Sequence, residues 1–157
     1  AREPVAYRFD DGRHRLAVCT DTGILTPLLG ERLAGCDVLL LETNHDADML
    51  RHGPYPWPLK QRISGRLGHL ANHQSAEALD RLRSDRLRAV LGLHLSAENN
   101  LPSLVEDELG PWLPPGAVLE PITRAHMARI ALADGRTVVE RLPVPEPRGR
   151  SATRHRL

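Results

Sequence analysis

The sequence predicts an α/β fold built on a parallel sheet whose strand ends carry the chemistry. Three observations lead there. Leu16-Ala17-Val18-Cys19, Val38-Leu39-Leu40-Leu41 and Ala89-Val90-Leu91-Gly92-Leu93 are short unbroken apolar runs, the pattern of strands buried on both faces. Amphipathic stretches of helical length separate them, as βαβ crossovers require. Each run delivers a polar cluster with an ionisable residue, namely Asp21, Glu42 and His94. In open α/β sheets the crevice beyond the carboxyl ends of the strands is where ligands bind. These three residues are therefore expected on one shared rim.

The elements follow in order. Residues 5–9 alternate apolar and polar, Asp10-Asp11-Gly12-Arg13 turns the chain, and residues 16–19 return as a hairpin partner. Leu25, Leu28, Leu29 and Leu33 share one face of a helix over 25–33 that ends at Gly35. The strand over 37–41 completes the first βαβ unit. A helical turn over 46–51 closes at His52-Gly53-Pro54, and Pro54, Pro56 and Pro58 hold a stiff extended segment. A helix is expected over 59–67, then a polar loop over 68–73. Ser75 is the expected N-cap of a helix over 76–85 with Ala76, Leu79 and Leu82 on its apolar face. The third buried strand, 89–93, leads to a helix over 102–109 that Pro102 opens. Strands at 117–120, 127–132 and 137–142 follow, the last two as a second hairpin through Asp134-Gly135. The Pro- and Arg-rich segment 143–157 reads as a disordered basic tail after a domain over 1–142.

Bulk properties bound the function. The 157 residues suffice for one domain with a real core, and a net charge of +1 gives no global attraction to nucleic acid or membranes. No apolar run approaches the ~18–20 residues of a membrane span, and no secretion signal is visible. Cys19 and Cys36 sit beside strands and read as buried thiols, which suits a reducing, cytoplasmic setting. The chain opens on Ala1 only a few residues before a strand, so it reads as part of a longer protein.

Each candidate residue has two readings. Asp21 suits either a carboxylate bridging two divalent cations or a turn aspartate. His94 is either a metal ligand or a core histidine bonded to backbone. Glu42 and His69 form either a carboxylate–imidazole acid pair or two residues that never meet. His45, Asp46 and His73 occupy the same loops with weaker claims, and His14, His52, His126 and His155 read as turn or surface residues. No closed zinc motif and no glycine-rich phosphate loop is present.

In order along the chain, Thr20-Asp21-Thr22-Gly23, Leu41-Glu42-Thr43-Asn44-His45-Asp46, Leu59-Lys60-Gln61-Arg62-Ile63, Gly68-His69-Leu70-Ala71-Asn72 and His94-Leu95-Ser96-x-x-Asn99-Asn100-x-Pro102 stand out together. Over residues 3–110 this series resembles the metallo-β-lactamase fold hydrolases, in their YycJ (WalJ)-like branch. The resemblance implies an αββα sandwich with a dinuclear metal site at one edge, of which this chain supplies mainly the C-terminal half. It implies Asp21 as bridging metal ligand, His94 as the last metal-binding histidine, and Glu42 with His69 as a pair near the scissile phosphate. Asn72 and Asn100 match polar signature residues and are taken as substrate-binding. The branch usually has Ser at the position of Ala71 and Tyr at that of His45.

The His-x-His-x-Asp-His motif of the family is absent from the sequence, so the site is expected to be incomplete. Two ligands do not hold a catalytic zinc, which takes about three protein ligands plus water. The resemblance implies a two-metal phosphodiesterase using zinc or manganese, with exonuclease action on DNA preferred. Lys60 and the arginines around 51–66 suit a phosphate-binding surface or a merely solvated face. Two alternatives stand beside it. One is a thioester or lactone hydrolase on the same scaffold. The other is a non-catalytic half-domain that pairs with a missing N-terminal half or with a second copy.

Overall fold

Five strands form one sheet in a computed structural model that describes residues 5–133 and 136–145. Their order is β1 (Ala6–Asp10), β2 (Arg15–Cys19), β3 (Val38–Glu42), β4 (Ala89–Leu93) and β5 (Val118–Pro121). β1 is antiparallel to β2, and every other pair is parallel. The register sets Cys19 beside Leu41 and Leu41 beside Gly92. Asp21, Glu42 and His94 therefore leave the sheet along one edge, as the strand-end pattern predicts.

The side-chain period of two explains the unbroken apolar runs. Ala17, Cys19, Leu39, Leu41 and Val90 point to one face, where they pack with Leu33, Leu79, Leu82, Val105 and Leu109 from the helices. Leu16, Val38, Leu40, Ala89, Leu91 and Leu93 point to the other face. That face meets a two-stranded ribbon of β6 (His126–Ala133) and β7 (Arg136–Pro143), through Ala128, Ile130, Leu132 and Val139. The layers are thus helices, sheet and ribbon. Gly92 lets the helical layer approach, because a Cβ there would lie 2.8 Å from Thr43 Oγ1 and 3.2 Å from a Val105 methyl.

The helices are α1 (Pro27–Leu33), α2 (Ala47–His52), α3 (Trp57–Ser64), α4 (Asn72–Leu82) and α5 (Pro102–Leu109). α1 starts two residues later than the apolar spacing predicts. Thr26 caps it by accepting from Leu29 N–H, and Pro27 takes the first position, where its missing N–H costs nothing. Buried Leu25 stays outside the helix. α3 starts at Trp57, inside the segment expected to be extended, because Pro58 is tolerated in a first turn. It stops at Gly65, where Gly68 N–H turns back to the Gly65 carbonyl.

α4 is the largest correction. It begins at Asn72, four residues before the expected start, and Ser75 is not its cap. Gln74 Oε1 accepts from Ala71 N–H instead, and the buried Ser75 hydroxyl donates to the Glu42 carbonyl oxygen at 2.5 Å. Ser75 already lies inside the first turn, its own N–H donating to the Ala71 carbonyl at 3.0 Å, so it cannot be the residue that precedes the helix. The expected turn at Asp134-Gly135 and most of the expected tail lie outside the described residues.

Candidate metal centre

Glu42 ends β3 completely buried, with a side-chain exposure of 0 %. A buried carboxylate needs partners on both oxygens, and it has them. Oε2 accepts from the Thr22 backbone N–H at 2.9 Å. Oε1 accepts from His69 Nδ1 at 2.7 Å and from His94 Nδ1 at 2.9 Å. A carboxylate only accepts, so both imidazoles carry their proton on Nδ1 and keep Nε2 free of this bond. The two rings meet edge to face at 4.9 Å between centroids. The sequence pairs Glu42 with His69; the structure shows that one oxygen of Glu42 orients His94 as well.

Asp21 completes the group. Its carboxylate is 54 % exposed, with Oδ1 3.6 Å from His94 Nδ1 and 4.0 Å from His69 Nδ1. Asp21, Glu42, His69 and His94 each offer a donor atom within 4.8 Å of the others. Asp21 and His94 both adopt positive φ, at 59° and 63°, where a non-glycine backbone is strained by about 1–2 kcal/mol. Each sits in the turn that follows its strand, so the strain aims both side chains at the same edge. Gly23 secures the Asp21 turn from behind, because any side chain there would collide with the Gly65 carbonyl.

Two imidazoles and two carboxylates gathered this closely suit a divalent cation, with Asp21 the open carboxylate and Glu42 the buried one that orients both rings. Among the described residues it is one cluster of four, and it offers no second set of donors for a second ion. The hydrogen bond to Glu42 holds His94 above the ordinary imidazole range, with Asp21 adding to the shift and partial burial opposing it.

The remaining expectations resolve as follows. Asn72 and Asn100 are buried and bond reciprocally at 2.9 Å in both directions. Asn100 also donates to the Thr43 carbonyl at 2.8 Å and accepts from Leu101 N–H at 2.9 Å. With their amides engaged in this lock they tie the loops after β3 and β4 to α4. Asn44, which the sequence leaves without a role, does similar work: its Nδ2 donates to the His94 carbonyl at 2.8 Å. The signal for it was a polar residue two positions beyond the end of a buried strand. His45 is buried, and burial first, then the charges of His69 and His73, push its pKa down to about 4. Asp46 caps α2, accepting from Asp48 N–H and Met49 N–H, and His73 is exposed. His14 lies 3.7 Å from Asp11, and His52 and His126 make local hydrogen bonds to Asp48 and Thr123. His155 lies outside the described residues.

Cys19 and Cys36 are free, buried thiols, and burial with the charge of Glu42 pushes Cys19 up to about 11. No helix among the described residues is long and apolar enough to cross a membrane.

The chain is similar to known proteins. Over 104 residues the chain is 36 % identical to a Bacillus anthracis protein named exodeoxyribonuclease YycJ, covering 66 % of this chain and 39 % of that protein. Over 101 residues it is 41 % identical to exodeoxyribonuclease WalJ of Streptococcus pneumoniae serotype 2 (strain D39), covering 64 % and 38 %. The chain thus spans about two fifths of the length of the curated relatives it matches. Among solved structures, the metallo-beta-lactamase fold protein YhfI from Bacillus subtilis aligns with a TM-score of 0.54 at 16 % identity. That alignment covers 74 % of this chain and 40 % of YhfI, and it supports the fold. The family described as the Beta-lactamase superfamily domain matches residues 1–94, which reach from the first strand to His94. With its sheet, its strand-end donor cluster and this match in agreement, the chain belongs to the beta-lactamase superfamily.

Proposed function

We propose that this chain carries part of the active site of a metal-dependent phosphodiesterase, acting as an exonuclease on DNA. The observation that carries the reading is the hold of one buried carboxylate oxygen on two imidazoles, 2.7 and 2.9 Å away, beside an open aspartate. The names of the two relatives supply the substrate class. Asp21 and His94 would hold metal, with Glu42 orienting His94 from behind. When bound, zinc or manganese supplies Lewis-acid stabilisation of the charge that develops on phosphoryl oxygens. Glu42 fixes the His69 proton on Nδ1, so Nε2 is the nitrogen that gives a proton to the leaving oxygen. Asn72 and Asn100 act as positioning residues that keep the donor loops in register.

Two metal ions need more donors than this cluster offers. A partner segment or a second chain would provide them. Tyr7 and Phe9, 57 % and 58 % exposed on the edge strand β1, favour such a covering partner. The free buried thiols suit a cytoplasmic setting.

The test separates metal binding from proton transfer. His69→Ala is expected to keep the metal content of the parent while slowing manganese-dependent cleavage of phosphodiester DNA by about 10²–10⁴-fold. A His69→Ala protein that cleaves as fast as the parent would remove the acid role of His69, and a parent that cleaves no phosphodiester would remove the phosphodiesterase reading.

A further inference from the structure

A second concavity, of about 550 Å³, opens between α2, α3 and the start of α4. That volume falls within the roughly 300–1,000 Å³ of small-molecule sites. Leu50 and Ala71 give it an apolar floor, while Trp57, Arg51 and Lys60 stand around it, and no carboxylate lines it. Trp57 is 66 % exposed, an unusual position for an indole with no protein partner to shield it. It occupies the first turn of α3 between Pro56 and Pro58, and those prolines fix the backbone that presents the ring.

The cations are held but not used up. Lys60 Nζ donates to the Arg51 carbonyl oxygen at 2.7 Å, which ties α3 to the end of α2 and leaves two ammonium protons. Arg51 meets the exposed Asp48 at 3.0 Å through Nη1 alone, and its remaining N–H groups are available. The pocket also adjoins the donor cluster. His45, three residues beyond Glu42, lines it and forms a β-bridge with Ala71, two residues beyond His69. An exposed aromatic face with two cations and no lining carboxylate matches a base and its phosphate, the pairing used by proteins that grip single strands.

We propose that this pocket is a subsite for the nucleotide next to the scissile phosphate of a single-stranded DNA end, with its base stacked on Trp57 and its phosphate held by Arg51 and Lys60. The proposal rests on the exonuclease reading and adds the strand form and the neighbouring contact. Stacking on one aromatic face tolerates any base, so recognition here is independent of sequence and sensitive to salt.

The test is fluorescence anisotropy of a dye-labelled oligodeoxythymidylate in EDTA, where no cleavage occurs. Trp57→Ala is expected to weaken binding about tenfold, and Trp57→Phe to restore most of it. Arg51→Gln should lower the slope of log affinity against log salt by about 1. Unchanged binding in Trp57→Ala, or a parent that binds no oligonucleotide, would overturn the subsite. Manganese-dependent cleavage measured separately on the same proteins tells the two readings apart. Cleavage with unchanged Trp57→Ala binding removes the subsite alone, whereas Trp57-dependent binding without cleavage, even when a partner chain supplies the missing metal donors, removes the exonuclease reading and keeps the strand-binding pocket.

Discussion

Lowering the pH from 7 to 4.5 is expected to remove about 2 kcal/mol of folding free energy through His45 alone. His45 is 2 % exposed and bonds only weakly, 3.3 Å from Asn44 Oδ1. Its folded pKa lies at about 4, against 6.5 for an ordinary histidine. A depressed histidine folds best when neutral. Its contribution is fully present above the unfolded value of 6.5, falls as the pH drops from 6.5 towards 4, and is flat below. The whole window is worth about 3 kcal/mol. His94 works in the opposite direction. Its raised pKa stabilises the fold below 6.5 and is lost as pH rises through the folded value. Urea unfolding of the parent and of His45→Gln at both pH values isolates the His45 term, because the variant keeps His94. With an m-value of about 2 kcal/mol/M, the parent's midpoint should fall about 1 M further than the variant's. Equal shifts in the two proteins would refute a buried neutral imidazole at this position.

Three substitutions probe the centre itself. Glu42→Gln replaces an oxygen that accepts from two imidazoles with a group that cannot serve all three of its partners. Metal affinity, read by competition with a chromogenic chelator, should drop about 10–100-fold. Asn100→Ala leaves the Asn72 amide, the Thr43 carbonyl and the Leu101 N–H without their partner, and should cost about 2 kcal/mol in denaturant unfolding. Gly23→Ala drives a methyl into the Gly65 carbonyl behind the Asp21 turn. It should lower both the melting temperature and metal affinity, and a parent-like metal affinity would detach Gly23 from the site.

Much of the fold was legible because its signals are local. Runs such as 38–41 and 89–93 are apolar at every position, since both faces of β3 and β4 are covered, and their ends mark the edge where Asp21, Glu42 and His94 gather. The start of α4 was not legible, because Ser75 looks like a cap by residue type, whereas Gln74 serves the Ala71 N–H and the Ser75 hydroxyl turns to the Glu42 carbonyl, 33 residues away in sequence. The shared grip of Glu42 on His69 and His94 was equally hidden. It spans separations of 27 and 52 residues and depends on positive φ at Asp21 and His94, which no side-chain pattern announces. Asn72 and Asn100 showed as polar signature residues, but their mutual bond joins positions 28 residues apart and no local pattern announces it.

The most direct measurement is metal content together with manganese-dependent cleavage of an end-labelled DNA duplex, made on this chain and on its Asp21→Ala variant. The account predicts bound metal and cleavage in the parent, both lost in Asp21→Ala, with any shortfall in this chain made good by adding a partner chain that supplies the missing donors. Absence of metal and of cleavage under both conditions would contradict it.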